Sequence, residues 1–416
     1  MALQNERKHI IVVGAGFGGL TTALMLARRI KPEMGYEVIL IDRHQHHLYT
    51  PALYEVAAIP REYLNDTSLV SSILIPISEI IRGRAIRFVC DEVAGHDAAN
   101  HSLTLRTNGK LSYEYLILAL GSETNYFNIP GLQDTSLPLK TCDDAALLRN
   151  KIETVLKEKS SLKIVVGGAG ASGVELIAEL VNFTCALKEK IVATPHVCHV
   201  TFFLAEASGE ILPDFDPWVV TRARARLQSL GVIIKTGSPI IRADKQSVFF
   251  ADGAEQAFDI LIWTGGVKGP SALTKFNLPL SPKGTLNVGS DLCVTGGNGK
   301  IFAVGDNAWL KNPETKKPLP WNVPVAEDEG RYAAQRILGA IRGIPLYPFR
   351  PRKRYPFILA VGGKYALADL VFLRIGGLAG WCVKQFVEFR YLCFVLPWPR
   401  ACMLWWKNVT LYSSND

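Results

Sequence analysis

The sequence predicts an α/β protein with two Rossmann-like dinucleotide-binding domains and an amphipathic helical region at its C-terminal end. Three observations predict it. Glycine-rich runs occur twice, as Val12-Val13-Gly14-Ala15-Gly16-Phe17-Gly18-Gly19 and as Val166-Gly167-Gly168-Ala169-Gly170-Ala171-Ser172-Gly173. Each follows an apolar strand-like run, Ile10 to Val13 or Ile164 to Val166, and opens a helical pattern. Each is then followed by a second apolar run that ends in an acid, Asp42 or Glu206. In that setting, amides at a helix N-terminus can hold a pyrophosphate and the acid can take ribose hydroxyls. One such run alone would say little; two with the same sequel predict two nucleotides held at once.

The candidate nucleotide residues are therefore Gly14, Gly16, Gly19 and Asp42 in the first unit, and Gly168, Gly170, Gly173 and Glu206 in the second. Strand-end acids exposed to solvent remain the plainer reading of Asp42 and Glu206. An acid at position 206 repels a 2′-phosphate, where an NADPH site favours Arg or Lys, so NADH is the expected second nucleotide.

The chain has 416 residues, of which 48% are apolar, with 35 glycines, which excludes a disordered or fibrous protein and suits many tight strand-to-helix turns. Its eight cysteines are scattered, with no metal-knuckle or dithiol spacing, and read as reduced thiols of a cytosolic protein. Cys142 is expected to start a helix as a structural residue. The first strand begins so early that a signal or transit segment is not expected before Ile10.

Charge is uneven. From Arg350 onward ten Lys/Arg face three acids, which supplies +7 of the net +8, and four of the eight tryptophans lie there. Basic charge among aromatics suits nucleic acid or a membrane interface, and so apolar a tail favours the membrane. Read as a helix, Leu378, Cys382, Phe386, Phe389 and Cys393 form one apolar stripe, with Lys384 and Glu388 on another face. No run reaches the ~18 to 20 apolar residues of a spanning helix. A helix pair lying in the lipid interface is expected, bent at Pro397 and Pro399; a dimer interface using the same stripe is the alternative.

Along the chain, the expected domains are 1–135 and 286–345 for the first nucleotide, 136–285 for the second, inserted into it, and 346–416 for membrane association. Short strands are expected around Ile86 to Cys90, Ser102 to Arg106 and Tyr115 to Leu120, with a strand closing on Gly305-Asp306 that returns to the first domain. Asp306 is either a ligand-facing acid or half of a Gly-Asp turn. Glu175, near the start of the second glycine helix, either organises a bound ring or relays a proton, or it offsets the helix dipole. His44, His46 and His47 invite a metal reading, but no acid or cysteine completes a ligand set at suitable spacing.

Residues 10 to 345 resemble the two-dinucleotide-binding-domain flavoproteins, and the whole chain most resembles the type II NADH:quinone oxidoreductases. The resemblance rests on both glycine runs, on Tyr49-Thr50-Pro51-Ala52-Leu53-Tyr54, on Trp263-Thr264-Gly265-Gly266-Val267 and on Phe302-Ala303-Val304-Gly305-Asp306. It implies FAD on the first glycine run, with Asp306 reaching it from the far side and His47, Thr50 and Pro51 bordering it. It implies NADH on the second run, Gly266 and Ala326 in the cofactor-binding set, and a functional role for Glu175. The family's usual Gln pair (AQxAxQ) is altered here: Ala326 survives, while Pro324 and Asp328 stand where Gln is expected. Those two residues and Lys364, beside Tyr365, become the quinone-side candidates. The implied activity is hydride transfer from NADH to FAD and two-electron transfer to a membrane quinone without ion pumping. The enzyme would sit peripherally on the cytoplasmic face of the cell membrane, with a homodimer left open. The absence of any cysteine before Cys90 argues against disulfide reductase chemistry. Sulfide:quinone or another substrate:quinone oxidoreductase is the alternative. Because the nucleotide motifs all lie upstream, deletion from Leu378 onward is expected to spare hydride transfer.

Overall fold

The computed structural model describes residues 7–59, 73–159, 161–191 and 199–412. They form two compact units, one from the described residues of 1–47, 75–123 and 267–355, the other from those of 48–74, 124–266 and 356–416.

In the first unit, Ile10, Ile11, Val12 and Val13 are buried, as the central strand of a parallel sheet covered on both faces requires. That strand, Lys8–Val13, pairs with Tyr36–Asp42 on one side and Tyr115–Leu118 on the other. Ile86–Cys90 and Ile301–Ala303 complete the five-stranded sheet at its two edges. An antiparallel three-stranded sheet, Val93–Asp97, Ser102–Leu105 and Lys110–Ser112, accompanies it. The glycine helix Phe17–Ala27 packs on the late helix Val323–Arg342. Their backbones nearly touch: a Cβ on Gly330 would lie 2.5 Å from the Gly18 carbonyl oxygen.

The second unit repeats the plan. Ser161–Gly167 lies between Ile260–Trp263 and His199–Ala205, with Ser136–Pro138 and Ile233–Lys235 at the edges, all parallel. Helix Cys142–Glu158 starts at a capping box in which Thr141 Oγ1 accepts from the Asp144 amide (3.1 Å) and Asp144 accepts from the Thr141 amide (2.8 Å). The C-terminal part is more than helices. An antiparallel sheet of Phe357–Ala360, Ala366–Asp369 and Arg374–Gly377 precedes helices Leu378–Val395 and Trp398–Tyr412. The break falls at Pro397; Pro399 lies in the first turn of the last helix, where its missing N–H costs little.

Three expected boundaries shift. Residues 267–285 belong with the first unit rather than the second, because Leu273 and Phe276 are buried in the same core as Ile11, Ile39 and Leu116. Residues 124–135 belong with the second, because Leu132 packs with Val165, Phe203 and Leu261. The last segment of the second unit starts at Pro356 rather than 346: Phe349 still bonds Ser290 through its amide (2.6 Å) and meets the Tyr332 ring at 5.3 Å.

The tail stripe is partly exposed: Leu378, Cys382 and Phe386 are open to solvent, whereas Phe389 and Cys393 are half-buried. Leu378, Phe386, Trp398, Met403 and Trp406 are 59–69% open to solvent, while Gln385, Glu388 and Asn408 are buried. These helices bury Leu392, Val395, Ala401 and Leu404 together with those polar groups, and leave large apolar side chains exposed on the outer side. Among the described residues, no helix is long and apolar enough to cross a membrane.

Candidate functional site

The two glycine loops have the same local construction. Gly14 and Gly168 take φ of +105° and +100°, which L side chains rarely adopt. A Cβ at either would also strike backbone, 2.2 Å from the Ala119 oxygen or 2.3 Å from the Gly265 Cα. Gly19 and Gly173 let each helix close on its own loop, since a Cβ there would lie 1.9 Å or 2.0 Å from the oxygen of Gly14 or Gly168. Gly16 and Gly170 face open space, with nothing within 4 Å of an added Cβ. Open space over a bare helix N-terminus is what a pyrophosphate needs. The residues present fit a dinucleotide at both loops.

The acids hold the loops in register. Asp42 Oδ2 accepts from the Ala15 amide and Glu206 Oε2 from the Ala169 amide, both at 2.7 Å. The second oxygen of each accepts the backbone amide two residues on, His44 or Ser208, at 2.8 Å. Each acid thus ties strand end to glycine loop. The Ala15 carbonyl meets His47 Nδ1 at 2.8 Å, whereas the Ala169 carbonyl accepts from the Leu212 amide at 2.8 Å. His47 is fully buried against the edge of Phe17, and that burial lowers its pKa to about 4. It is therefore neutral at pH 7. Of its neighbours, His44 lies beside Arg43 Nε (3.1 Å) and His46 opens the strand His46–Leu48.

Asp306 sits in the turn Gly305–Asn307, where its Oδ2 accepts from Ser122 Oγ at 2.7 Å. Beneath it lies Glu329, which the sequence reading missed. Its carboxyl is buried, accepts from the Gly305 amide at 2.6 Å and is pushed up to about 8 by that burial. Ala326 lies on the same helix, its carbonyl oxygen 3.3 Å from where a Gly18 Cβ would be. Pro324 fills the first turn of that helix behind the cap Asn322. Both Asp328 oxygens are engaged, Oδ1 by Arg331 and Oδ2 by Arg352, each at 3.0 Å.

Thr50 and Pro51 open the turn Thr50–Ala52 in the second unit, and His47 belongs to the first. Gly266 accepts from the Asn125 amide (3.0 Å) and is capped by the Phe127 ring, 2.8 Å from where its Cβ would be. Lys364 is exposed in the turn after Gly363, whose amide donates to Glu179 Oε2 (3.2 Å).

Glu175 belongs to a buried charge cluster that spacing in sequence could not reveal. Part of the residue reaches the surface, but its carboxyl is buried, which raises it to about 8, and Oε1 accepts from the Ala360 amide (3.3 Å). Lys384, from the first tail helix, forms an ion pair with Glu55, which also accepts from Tyr54 Oη at 3.0 Å. Glu388, one turn further on, accepts from Asn408 Nδ2 of the last helix at 2.8 Å; burial raises it to about 7 against the pull of Lys384. Burial works against the Lys384 ammonium, but Glu55 and Glu388 outweigh it and raise its pKa. Deletion from Leu378 would remove Lys384, Glu388 and Asn408 from this cluster.

Two doubly wound sheets with matched nucleotide loops define a two-nucleotide oxidoreductase architecture. Residues 8–330 match the family model for pyridine nucleotide-disulphide oxidoreductases, and the chain belongs to that family. A type II NADH:quinone oxidoreductase of Staphylococcus saprophyticus is 27% identical over 358 residues, covering 83% of this chain and 86% of that one. One from Staphylococcus aureus is 28% identical over 353 residues, covering 82% and 84%. Among solved structures, NDH2 from Plasmodium falciparum in complex with NADH superimposes with a TM-score of 0.81 at 19% identity, covering 98% of this chain and 99% of that one. The sulfide:quinone oxidoreductase of Aquifex aeolicus gives 0.76 at 18% identity, covering 93% and 91%. At those identities the two structures share this fold.

Proposed function

We propose that the protein is a non-pumping NADH:quinone oxidoreductase working at a membrane surface, with FAD on the first glycine loop and NADH on the second. The observation that carries it is the matched pair of loops, each with an open glycine, a positive-φ glycine and an acid tied to the loop. The relatives' names supply the substrate pair. FAD, when bound, supplies the hydride-accepting and two-electron-donating chemistry.

The chain's own residues position and insulate. Gly16 leaves open room over the helix N-terminus for a pyrophosphate, Asp42 stands at the ribose end, and Glu329 braces the Gly305-Asp306 turn through one hydrogen bond. Glu206 places a carboxylate where a 2′-phosphate would have to sit, which favours NADH. Glu175 holds a proton near neutral pH, as a two-proton quinone reduction requires. Lys364 is kept as a quinone-side contact. The proposed location is the cytoplasmic face of the cell membrane, with the outward apolar residues of the tail helices in the lipid interface.

The test uses substitution rather than deletion. Phe386→Ser with Trp406→Ser should keep NADH-dependent ferricyanide reduction but lose vesicle binding and long-chain quinone reduction. Sulfide in place of NADH should give no turnover. Turnover with sulfide and none with NADH would replace this reading with the sulfide:quinone one. Vesicle binding equal to the parent would show that Phe386 and Trp406 do not anchor the chain.

A further inference from the structure

Between strands Ala366–Asp369 and Arg374–Gly377 the hairpin turns through Leu370, Val371, Phe372 and Leu373. Tight hairpin turns are usually made of Gly, Asn, Asp or Ser, because such turns need positive φ and face water. Here all four residues are apolar. Val371 takes φ +75°, a conformation that is strained for a β-branched residue. Two hydrogen bonds hold it there, from the Val371 amide to Asp369 Oδ1 and from the Leu370 amide to the Leu373 oxygen, both 2.9 Å. The strained turn leaves Phe372 99% exposed and Leu373 56% exposed.

The base of the hairpin, at the end away from the turn, is joined to the first tail helix: a Cβ on Gly380 would lie 2.2 Å from the Ala366 oxygen, so helix and hairpin lie in backbone contact. Charge identifies the occupant. Between residues 356 and 412 the two acids, Asp369 and Glu388, are buried, while Lys364 and Arg390 are exposed and Arg374 reaches the surface paired with Asp216 (2.7 Å). A second copy of the chain would set those cations against their own kind. An anionic headgroup layer over hydrocarbon matches both the charge and the apolar prong.

We propose that residues 370–373 form a second lipid anchor, a hairpin prong that inserts Phe372 and Leu373 into an anionic bilayer surface beside the tail helices. The inference rests on the membrane reading above and adds a separate site to it. The full chain is tested by flotation with vesicles of phosphatidylglycerol and phosphatidylcholine. Phe372→Ser with Leu373→Ser should weaken partitioning about ten-fold, from the apolar area withdrawn, whereas Phe372→Trp should bind at least as well as the parent. Unchanged ferricyanide reduction would show that the variants fold. Should the Ser pair fail to fold, hydrogen exchange on the parent decides: vesicles should slow exchange at the Phe372 and Leu373 amides. Parental binding by the Ser pair, or exchange at those amides unchanged by vesicles, overturns the prong and leaves the tail helices as the anchor. A parent that ignores vesicles, or that only doubles in mass, overturns the membrane reading and the prong together.

Discussion

The two glycine loops match almost atom for atom, yet one is closed by a histidine ring and the other by a backbone amide. Ala15 is met by His47, 32 residues along the chain, and Ala169 by the amide of Leu212. The loop geometry is dictated by glycine and serves any dinucleotide. The group that latches it is supplied by the surrounding unit, and it gives the first loop a titratable contact that the second lacks. A tightly held flavin and an exchangeable NADH suit that asymmetry.

The largest effect should come from removing the glycines. Gly14→Ala and Gly168→Ala each combine positive φ with a backbone clash, and each should cost about 3 kcal/mol or more. The comparison is sharpened by what each loses. Gly14→Ala should purify colourless, whereas Gly168→Ala should stay yellow but resist reduction by NADH; a yellow Gly14→Ala protein would break the assignment of the loops.

Glu329 gives an effect of comparable size that appears only as pH changes. Its pKa in the folded protein is raised to about 8, so its stabilising contribution is complete below its ordinary value of 4.5 and is lost as pH rises through about 8. Glu329→Gln should therefore remove up to about 5 kcal/mol of pH dependence in that window, as measured by denaturant titration at several pH values. Identical pH profiles would show that the carboxyl is ionised in the folded state.

His47 runs the other way. Its folded pKa, near 4, lies below the ordinary 6.5, so the unfolded chain binds the extra proton and stability is lost as pH falls from 6.5 toward 4, by about 3 kcal/mol. His47→Gln should flatten that limb. Acid-induced loss of flavin that is unchanged in this variant would remove His47 as the latch.

The smallest effect, about ten- to a hundred-fold or about 1.4–2.8 kcal/mol, is expected for Glu206→Arg, read as the ratio of NADPH to NADH in flavin reduction. An unchanged ratio would return Glu206 to a loop-bracing role alone.

The loops were legible in sequence because they are local: glycine spacing, the preceding strand and the acid that follows all lie within one unit of chain. The amphipathic stripe of the tail was legible for the same reason. Which side of it faces the protein was not, because periodicity locates a face without giving its direction. Burial of Lys384 depends on Glu55, 329 positions away, and no spacing rule reaches so far. Glu329 was missed among the acids of its helix because its partner is a backbone amide at Gly305. Domain boundaries shifted where single side chains, Leu132 or Phe276, chose the core.

The central claim is that the chain passes electrons from NADH through a flavin to a quinone, and stopped-flow mixing tests it most directly. NADH should bleach the flavin absorbance of the full-length protein in a single turnover, far faster than NADPH, and a short-chain quinone added next should restore it. A flavin that NADH leaves oxidised, or one that bleaches and is not restored by quinone, would contradict the account.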